Sequence, residues 1–238
     1  MIPNYFCRKI LSEDKLNHIR KLITAKDVNW QDGNLTATNG ILPQKKLLET
    51  FNKDVFSIII SDLDKDNQFN FIVMPDKTSN LIISKITEGG YYGCHLDDEF
   101  NGNYSTTIFL NEPNEYVGGE LQLLINGNLK NIKLKAGWGV TYETGIPHQV
   151  LDVTEGVRYA GVFWSTSIIS DPFLRNMYHS LANIQRKLNP KDKIYTNLKE
   201  FADDPFHEIE MLKKNIIRRY KWETLFYLEI VGKHSKSL

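Results

Sequence analysis

Between about residue 70 and residue 168 the chain is written in short segments, "FNFIVM", "NLIISKI", "YSTTIFLN", "GELQLLIN", "NIKLKA", "GVTYE", "HQVLDV" and "VRYAGVFW". Each is rich in β-branched and aromatic residues, the types that suit a pleated, half-buried surface. The segments are separated by "EGG", "NGN", "EPNEYVGG", "INGNL", "KAGWG", "TGIP" and "TEG". Turn signals at this density, roughly every 8–12 residues, suit a sandwich, a jelly roll or a barrel and exclude a helical bundle. Asn126-Gly127 between two alternating segments predicts a tight hairpin.

Helical periodicity flanks this block. "LSEDKLNHIRKLITA" places Leu16, Ile19, Leu22 and Ile23 on one face, with Ser12 before it as an N-cap. "PQKKLLETFNKDVFSIIISDL", opened by Pro43, keeps Leu47, Leu48, Phe51, Val55, Ile58 and Ile59 near one stripe and predicts a mostly helical stretch. After the strands, "DPFLRNMYHSLANIQRKL" carries Asp171 as cap, Pro172 in the first turn, and Leu174, Met177, Leu181, Ile184 and Leu188 at helical spacing; a last helix follows "DDPF". No repeat or Pro/Gly/Ser-rich linker interrupts the chain, so the expectation is one domain over 1–238: supporting elements in 1–80, a β core in 81–168 and a helical extension in 169–238.

Composition narrows the partners. The 29 basic residues balance the 29 acidic ones with no extended basic run, which gives no footprint for nucleic acid or a membrane surface. The N-terminus lacks the basic and apolar blocks of a signal peptide, and no apolar stretch approaches the ~18 residues of a membrane span. A cytoplasmic protein is expected. Cys7 and Cys94 are then expected to remain thiols.

The chemistry starts at "YYGCHLDDEF". On a strand, His95 and Asp97 share a face and can ligate one ion while Leu96 turns away; a solvated acidic turn is the other reading of the same residues. His148 opens a later strand after a Gly/Pro turn, and Arg158 lies inside the next. A buried arginine calls for an anionic partner. Two histidines and one carboxylate occupy one face of an octahedral metal and leave the other open, the arrangement of non-haem Fe(II) oxygenases.

In "YYGCHLDD", "YSTTIFLNEPNEYVGGELQL" and "IKLKAGWGVTYETGIPHQVLDVTEGVRYAGVFW", and more loosely in "NWQDGNLTA", the chain resembles the Fe(II)- and 2-oxoglutarate-dependent dioxygenases of the prolyl-4-hydroxylase-like group. The resemblance implies a mainly β fold with flanking α, its core a double-stranded β-helix, the jelly-roll variant also seen in cupins. It implies His95, Asp97 and His148 as Fe(II) ligands and Arg158 as partner of the 2-oxoglutarate C5 carboxylate. It also implies dioxygen as oxidant, ascorbate as supporting reductant, and hydroxylation of an unactivated C–H bond with formation of succinate and CO2. Related halogenases lack the carboxylate that Asp97 supplies, which favours hydroxylation.

The departures lie around the cosubstrate. Many relatives have Asn-Arg-Tyr where this chain has Ser84, Lys85 and Ile86, and Phe109 offers only packing, so the hydroxyl that accompanies Arg158 is left open. Tyr92 is a candidate cosubstrate-binding residue, with a structural core role as its alternative. The segment 98–104 is shorter than the substrate-covering insertion of many relatives. The implied substrate is a prolyl residue of a protein or peptide; a free amino acid or small metabolite and a non-catalytic cupin-like ligand-binding module are the alternatives, and the sequence admits a homodimer. Asp98 and Glu99 are expected in solvent, Cys94 in a small buried packing position, and His18, His179, His207 and His234 on the surface.

Overall fold

A computed structural model describes residues 3–36, 45–97, 102–188 and 194–234, with side chains to Arg219. In chain order the elements are β1 (Tyr5–Lys9), α1 (Glu13–Ile23), β2 (Gln31–Asp32), a 3-10 turn (Gly33–Thr36), β3 (Lys45–Lys46), β4 (Leu48–Thr50), α2 (Lys53–Leu63), α3 (Asn67–Val73) and β5 (Pro75–Thr78). The core strands follow: β6 (Ile82–Thr87), β7 (Gly90–His95), β8 (Tyr104–Phe109), β9 (Tyr116–Gly118), β10 (Leu121–Ile125), β11 (Asn128–Ile132), β12 (Trp138–Glu143) and β13 (His148–Ser167). Three helices, α4 (Pro172–Leu188), α5 (Leu198–Ala202) and α6 (Pro205–His234), end the chain. No described helix is long and apolar enough to cross a membrane.

The chain forms two compact units, Pro3–Ser167 and a helical one from Ile168 onward. In the first, one path of antiparallel strands runs β1-β12-β8-β13-β6-β4-β2. A second set is built on the other half of β13, which pairs there with β7, β9 and β10, while β11 extends β10 and β3 extends β7. The two-residue link Glu88-Gly89, with Gly89 at φ 70, carries the chain from β6 in one set to β7 in the other. The result is the mainly β, double-stranded β-helix architecture that the sequence pattern and the resemblance imply.

Side chains of both strand sets fill the interior. Phe109, Leu121, Leu123, Ile132, Val140 and Tyr142 form one buried cluster, and Leu47, Ile86, Tyr116 and Val153 another. Burying a large apolar side chain contributes roughly 1.5–3 kcal/mol, so these positions hold the strand register against slippage. The Asn126-Gly127 hairpin forms as expected: both residues have positive φ, 50 and 76, and Ile125 pairs with Asn128.

Four local expectations are corrected. Helix α2 begins only at Lys53, because Asn52 caps it by accepting from the Asp54 and Val55 amides at 3.0 and 3.1 Å; Lys45–Lys46 and Leu48–Thr50 are strands, drawn into the sheets by β7 and β6. "FNFIVM" falls in helix α3, since Asp66 caps the Phe69 amide at 2.8 Å and Phe69, Ile72 and Val73 are buried at helical spacing; the short apolar run fitted either period. "TEG" is no turn, for β13 runs unbroken through it with Gly156 at φ 77 and a shifted register. In α4 the Asp171 carboxylate caps Leu174 at 3.0 Å as expected, but the buried face holds Arg175, His179, Ala182 and Gln185 while Met177, Ile184 and Leu188 are exposed. Arg175 bonds the Ile169 and Ser170 carbonyls and Gln185 bonds Glu210 and the Phe206 carbonyl, so hydrogen bonding decides that face.

Candidate active site

Strand pairing explains how two histidines far apart in sequence meet. His95, last residue of β7, is the cross-strand partner of His148, first residue of β13. Strand β7 ends there, so Asp97 sits in the turn beyond it rather than on a strand; Leu96, 59% exposed, points out while Asp97 turns back to the histidines. One ligand atom from each of His95, Asp97 and His148 lies within 4.8 Å of the others. The His95 Nε2 to Asp97 Oδ1 distance is 3.8 Å, and His148 Nε2 to Asp97 Oδ2 is 3.7 Å. Both are too long for hydrogen bonds. They lie below the ~4.2 Å that two donors ~2.1 Å from one ion can span and above the ~3.0 Å of neighbouring octahedral ligands, so a small closure would bring the three onto a shared ion.

The groups behind the three ligands set their chemistry. His95 Nδ1 lies 2.8 Å from the Gly93 carbonyl, and His148 Nδ1 lies 2.9 Å from the Ile146 carbonyl. A carbonyl only accepts, so each Nδ1 carries the proton and each Nε2 presents a lone pair toward Asp97. Burial, and next the adjacent His148 ring, lower the His95 pKa to about 4, which keeps that imidazole neutral at neutral pH. The Ser105 hydroxyl donates to Asp97 Oδ2, with the Thr144 hydroxyl 3.3 Å behind it. Such a donor fixes the plane of a ligating carboxylate.

Tyr92 stacks flat on His95, ring centroids 3.8 Å apart at 9°, and Lys45 Nζ lies 4.5 Å from the centroid of the Tyr92 ring. Lys45 is itself buried at 3.4 Å from Glu49. The Tyr92 hydroxyl is held protonated by burial first, then by Asp97 and Glu49.

Arg158 is 2% exposed, and its Nε and Nη2 have no hydrogen-bond partner among the described residues. Its guanidinium carbon sits 5.4 Å from the Phe109 ring centroid, and its cross-strand partner is Ile86. The hydroxyl of fully buried Tyr142 lies within electrostatic range of both Asp97 and Arg158. A buried fork of unsatisfied donors fits a carboxylate, and two imidazoles with one oriented carboxylate fit Fe(II). The residues therefore suit both a ferrous ion and an anionic cosubstrate.

Two lesser expectations are corrected. Cys94 is exposed, at the point where the pairing of β7 with β13 shifts register. His179 is 1% exposed and lies on the buried face of α4. Asp98, Glu99 and the start of the 98–104 segment lie outside the described residues, as does the side chain of His234. Sequence reasoning missed Ser105, Tyr142 and Lys45 as neighbours of the site. The inward phase of "YSTTIF" could have singled out Ser105, whereas Lys45 was hidden by a helical reading of its segment.

The profile of the 2OG-Fe(II) oxygenase superfamily matches residues 81–166. Among curated proteins, a PKHD-type hydroxylase of Pseudomonas putida strain W619 is 30% identical over 194 residues, 75% of this chain and 85% of its own. Another from Nitrobacter winogradskyi is 30% identical over 209 residues, 79% of this chain and 91% of its own. Among solved structures, a Pseudomonas putida prolyl-4-hydroxylase aligns with TM-score 0.52 at 19% identity, covering 69% of this chain and 92% of that one. A Trichoplax adhaerens prolyl hydroxylase, solved with a hypoxia inducible factor peptide fragment, aligns with TM-score 0.55 at 15% identity, covering 69% and 84%.

Proposed function

Because the chain belongs to the PKHD-type hydroxylases of the 2OG-Fe(II) oxygenase superfamily, we propose that it hydroxylates a prolyl residue of a protein or peptide, releasing succinate and CO2. His95, Asp97 and His148 hold the iron, and Arg158 pairs with the distal carboxylate of 2-oxoglutarate. The observation that carries this reading is the convergence of the three ligand atoms within 4.8 Å. Bound there, iron, the oxo acid and dioxygen supply the oxidising power that an unactivated C–H bond demands.

The protein's own part is to hold and shield. The Nδ1 hydrogen bonds of His95 and His148 keep the Nε2 lone pairs aimed at one point, and Ser105 keeps Asp97 from rotating away. Tyr92, stacked on His95, limits the swing of that ring. Phe109 lines the Arg158 guanidinium with apolar surface, which strengthens its pairing with a carboxylate. Support for a peptidyl substrate comes from the prolyl hydroxylases that share the fold, one of them solved with a peptide.

The test incubates anaerobically purified protein with Fe(II), ascorbate and labelled 2-oxoglutarate, admits air, and measures succinate with proline-containing peptides and with free proline. Expected are succinate and a peptide heavier by one oxygen atom, both lost in Asp97→Ala. Turnover with free proline alone would move the substrate to the small-molecule class, and absence of succinate with every substrate would sink the proposal.

A further inference from the structure

Arg158 is not the only unsatisfied donor in its surroundings. Tyr116, last aromatic residue before the Gly118-Gly119 turn, is 3% exposed, and its hydroxyl has no hydrogen-bond partner among the described residues. The Arg158 guanidinium lies near enough to act on the phenol oxygen, and since a guanidinium can only donate, the tyrosine proton is still without an acceptor. Gly119 brings the two together: a Cβ there, at φ 66, would fall 3.0 Å from Arg158 Cδ and 3.1 Å from Tyr116 Cε2. The arginine stem and the tyrosine ring edge thus converge over a position that only glycine leaves open.

The other walls of this corner are mute. Phe109 lies against the guanidinium and Ile86 is the cross-strand neighbour of Arg158, neither with a polar side-chain atom, and the Tyr142 hydroxyl is engaged by Thr107. Glu120 and Glu115 are the carboxylates that act on this corner; the first lies 3.9 Å from Lys133 Nζ, and the second accepts from Arg20 at 2.6 Å. Lys133 also packs 4.1 Å from the Tyr116 ring centroid and donates to the Tyr116 carbonyl at 2.9 Å, fixing the ring from its solvent side. Two buried donors, one cationic and one neutral, are left side by side. Such a pair is expensive to leave unmade, and a single carboxylate with two oxygens satisfies both.

We propose that Tyr116 is a cosubstrate-binding residue whose hydroxyl donates to the same distal carboxylate that Arg158 pairs with. It supplies the hydroxyl that Ile86 and Phe109 cannot. The assignment rests on the 2-oxoglutarate reading of the site and adds a residue to it.

The test is calorimetric titration of the anaerobic, Mn(II)-loaded full chain with 2-oxoglutarate and with 2-oxopentanoate, which has a methyl group in place of the distal carboxylate. Wild type, Tyr116→Phe, Arg158→Gln and the double variant are compared. Tyr116→Phe is expected to weaken 2-oxoglutarate about 10- to 100-fold, the range of a hydrogen bond to a charged group. Affinities for 2-oxopentanoate and Mn(II) stay unchanged, and the tyrosine effect shrinks once Arg158 is replaced. Unchanged 2-oxoglutarate affinity in Tyr116→Phe, or an equal loss of both oxo acids from any cause including misfolding, overturns the assignment. A wild type that does not prefer 2-oxoglutarate to 2-oxopentanoate, or an Arg158→Gln variant indistinguishable from it, overturns the underlying reading instead.

Discussion

At Asp97 the decisive neighbour is a serine. The Ser105 hydroxyl reaches across from β8 to a carboxylate that stands beyond the end of β7, where no strand pairing holds it. Ser105→Ala should therefore lower metal affinity about 10- to 100-fold, the usual effect of losing a group that orients a ligand, with the fold retained; titration with Mn(II) followed by circular dichroism checks both. Arg158→Ala should weaken 2-oxoglutarate binding by ~1.5–3 kcal/mol with metal affinity intact, the measure of a charge-assisted hydrogen bond. Loss of both together would mark Arg158 as structural. The convergence of His95, Asp97 and His148 and the burial of Arg158 were legible in the sequence because ligating and charged residue types have few uses in or beside core strands. Tyr116 and Ser105 were not, since a buried hydroxyl is commonplace and only its neighbours give it a task.

At the scale of elements, turns that rest on chain chemistry were readable and segments that rest on tertiary partners were not. Asn126-Gly127 dictates its hairpin through backbone conformation alone. Lys45–Lys46, by contrast, becomes a strand because β7 lies beside it, and "FNFIVM" becomes helical because Asp66 caps it. Glycines test this distinction. A Cβ at Gly127, φ 76, meets nothing within 4 Å, so Gly127→Ala should destabilise by only the ~1–2 kcal/mol of a left-handed L-residue. At Gly118, φ 73, a Cβ would lie 2.0 Å from the Asp152 carbonyl oxygen, so Gly118→Ala must also displace β9 from β13 and should cost clearly more. Urea denaturation of the two variants, read at constant m-value, ranks them.

For the whole molecule, a site assembled from β7, the turn after it and β13 exists only when the strand unit is folded. Metal binding should then stabilise the native state by mass action, by ~2.7 kcal/mol at a hundredfold excess over Kd. Anaerobic thermal scans with and without Mn(II) should show this rise, with added amide protection in β7 and the first half of β13, and Asp97→Ala should lose it. The unbroken course of β13 has one more consequence. His148 and Arg158 stand on the same strand, clamped by β7 and β10 at one end and by β6 and β8 further along. On the proposed reading of the site, that strand fixes the spacing between the chelating end of an oxo diacid and its far carboxylate. The five-carbon diacid should be accepted over oxaloacetate and 2-oxoadipate, its neighbours one carbon shorter and longer, and a two-residue deletion between His148 and Arg158 should shift that preference rather than merely weaken binding.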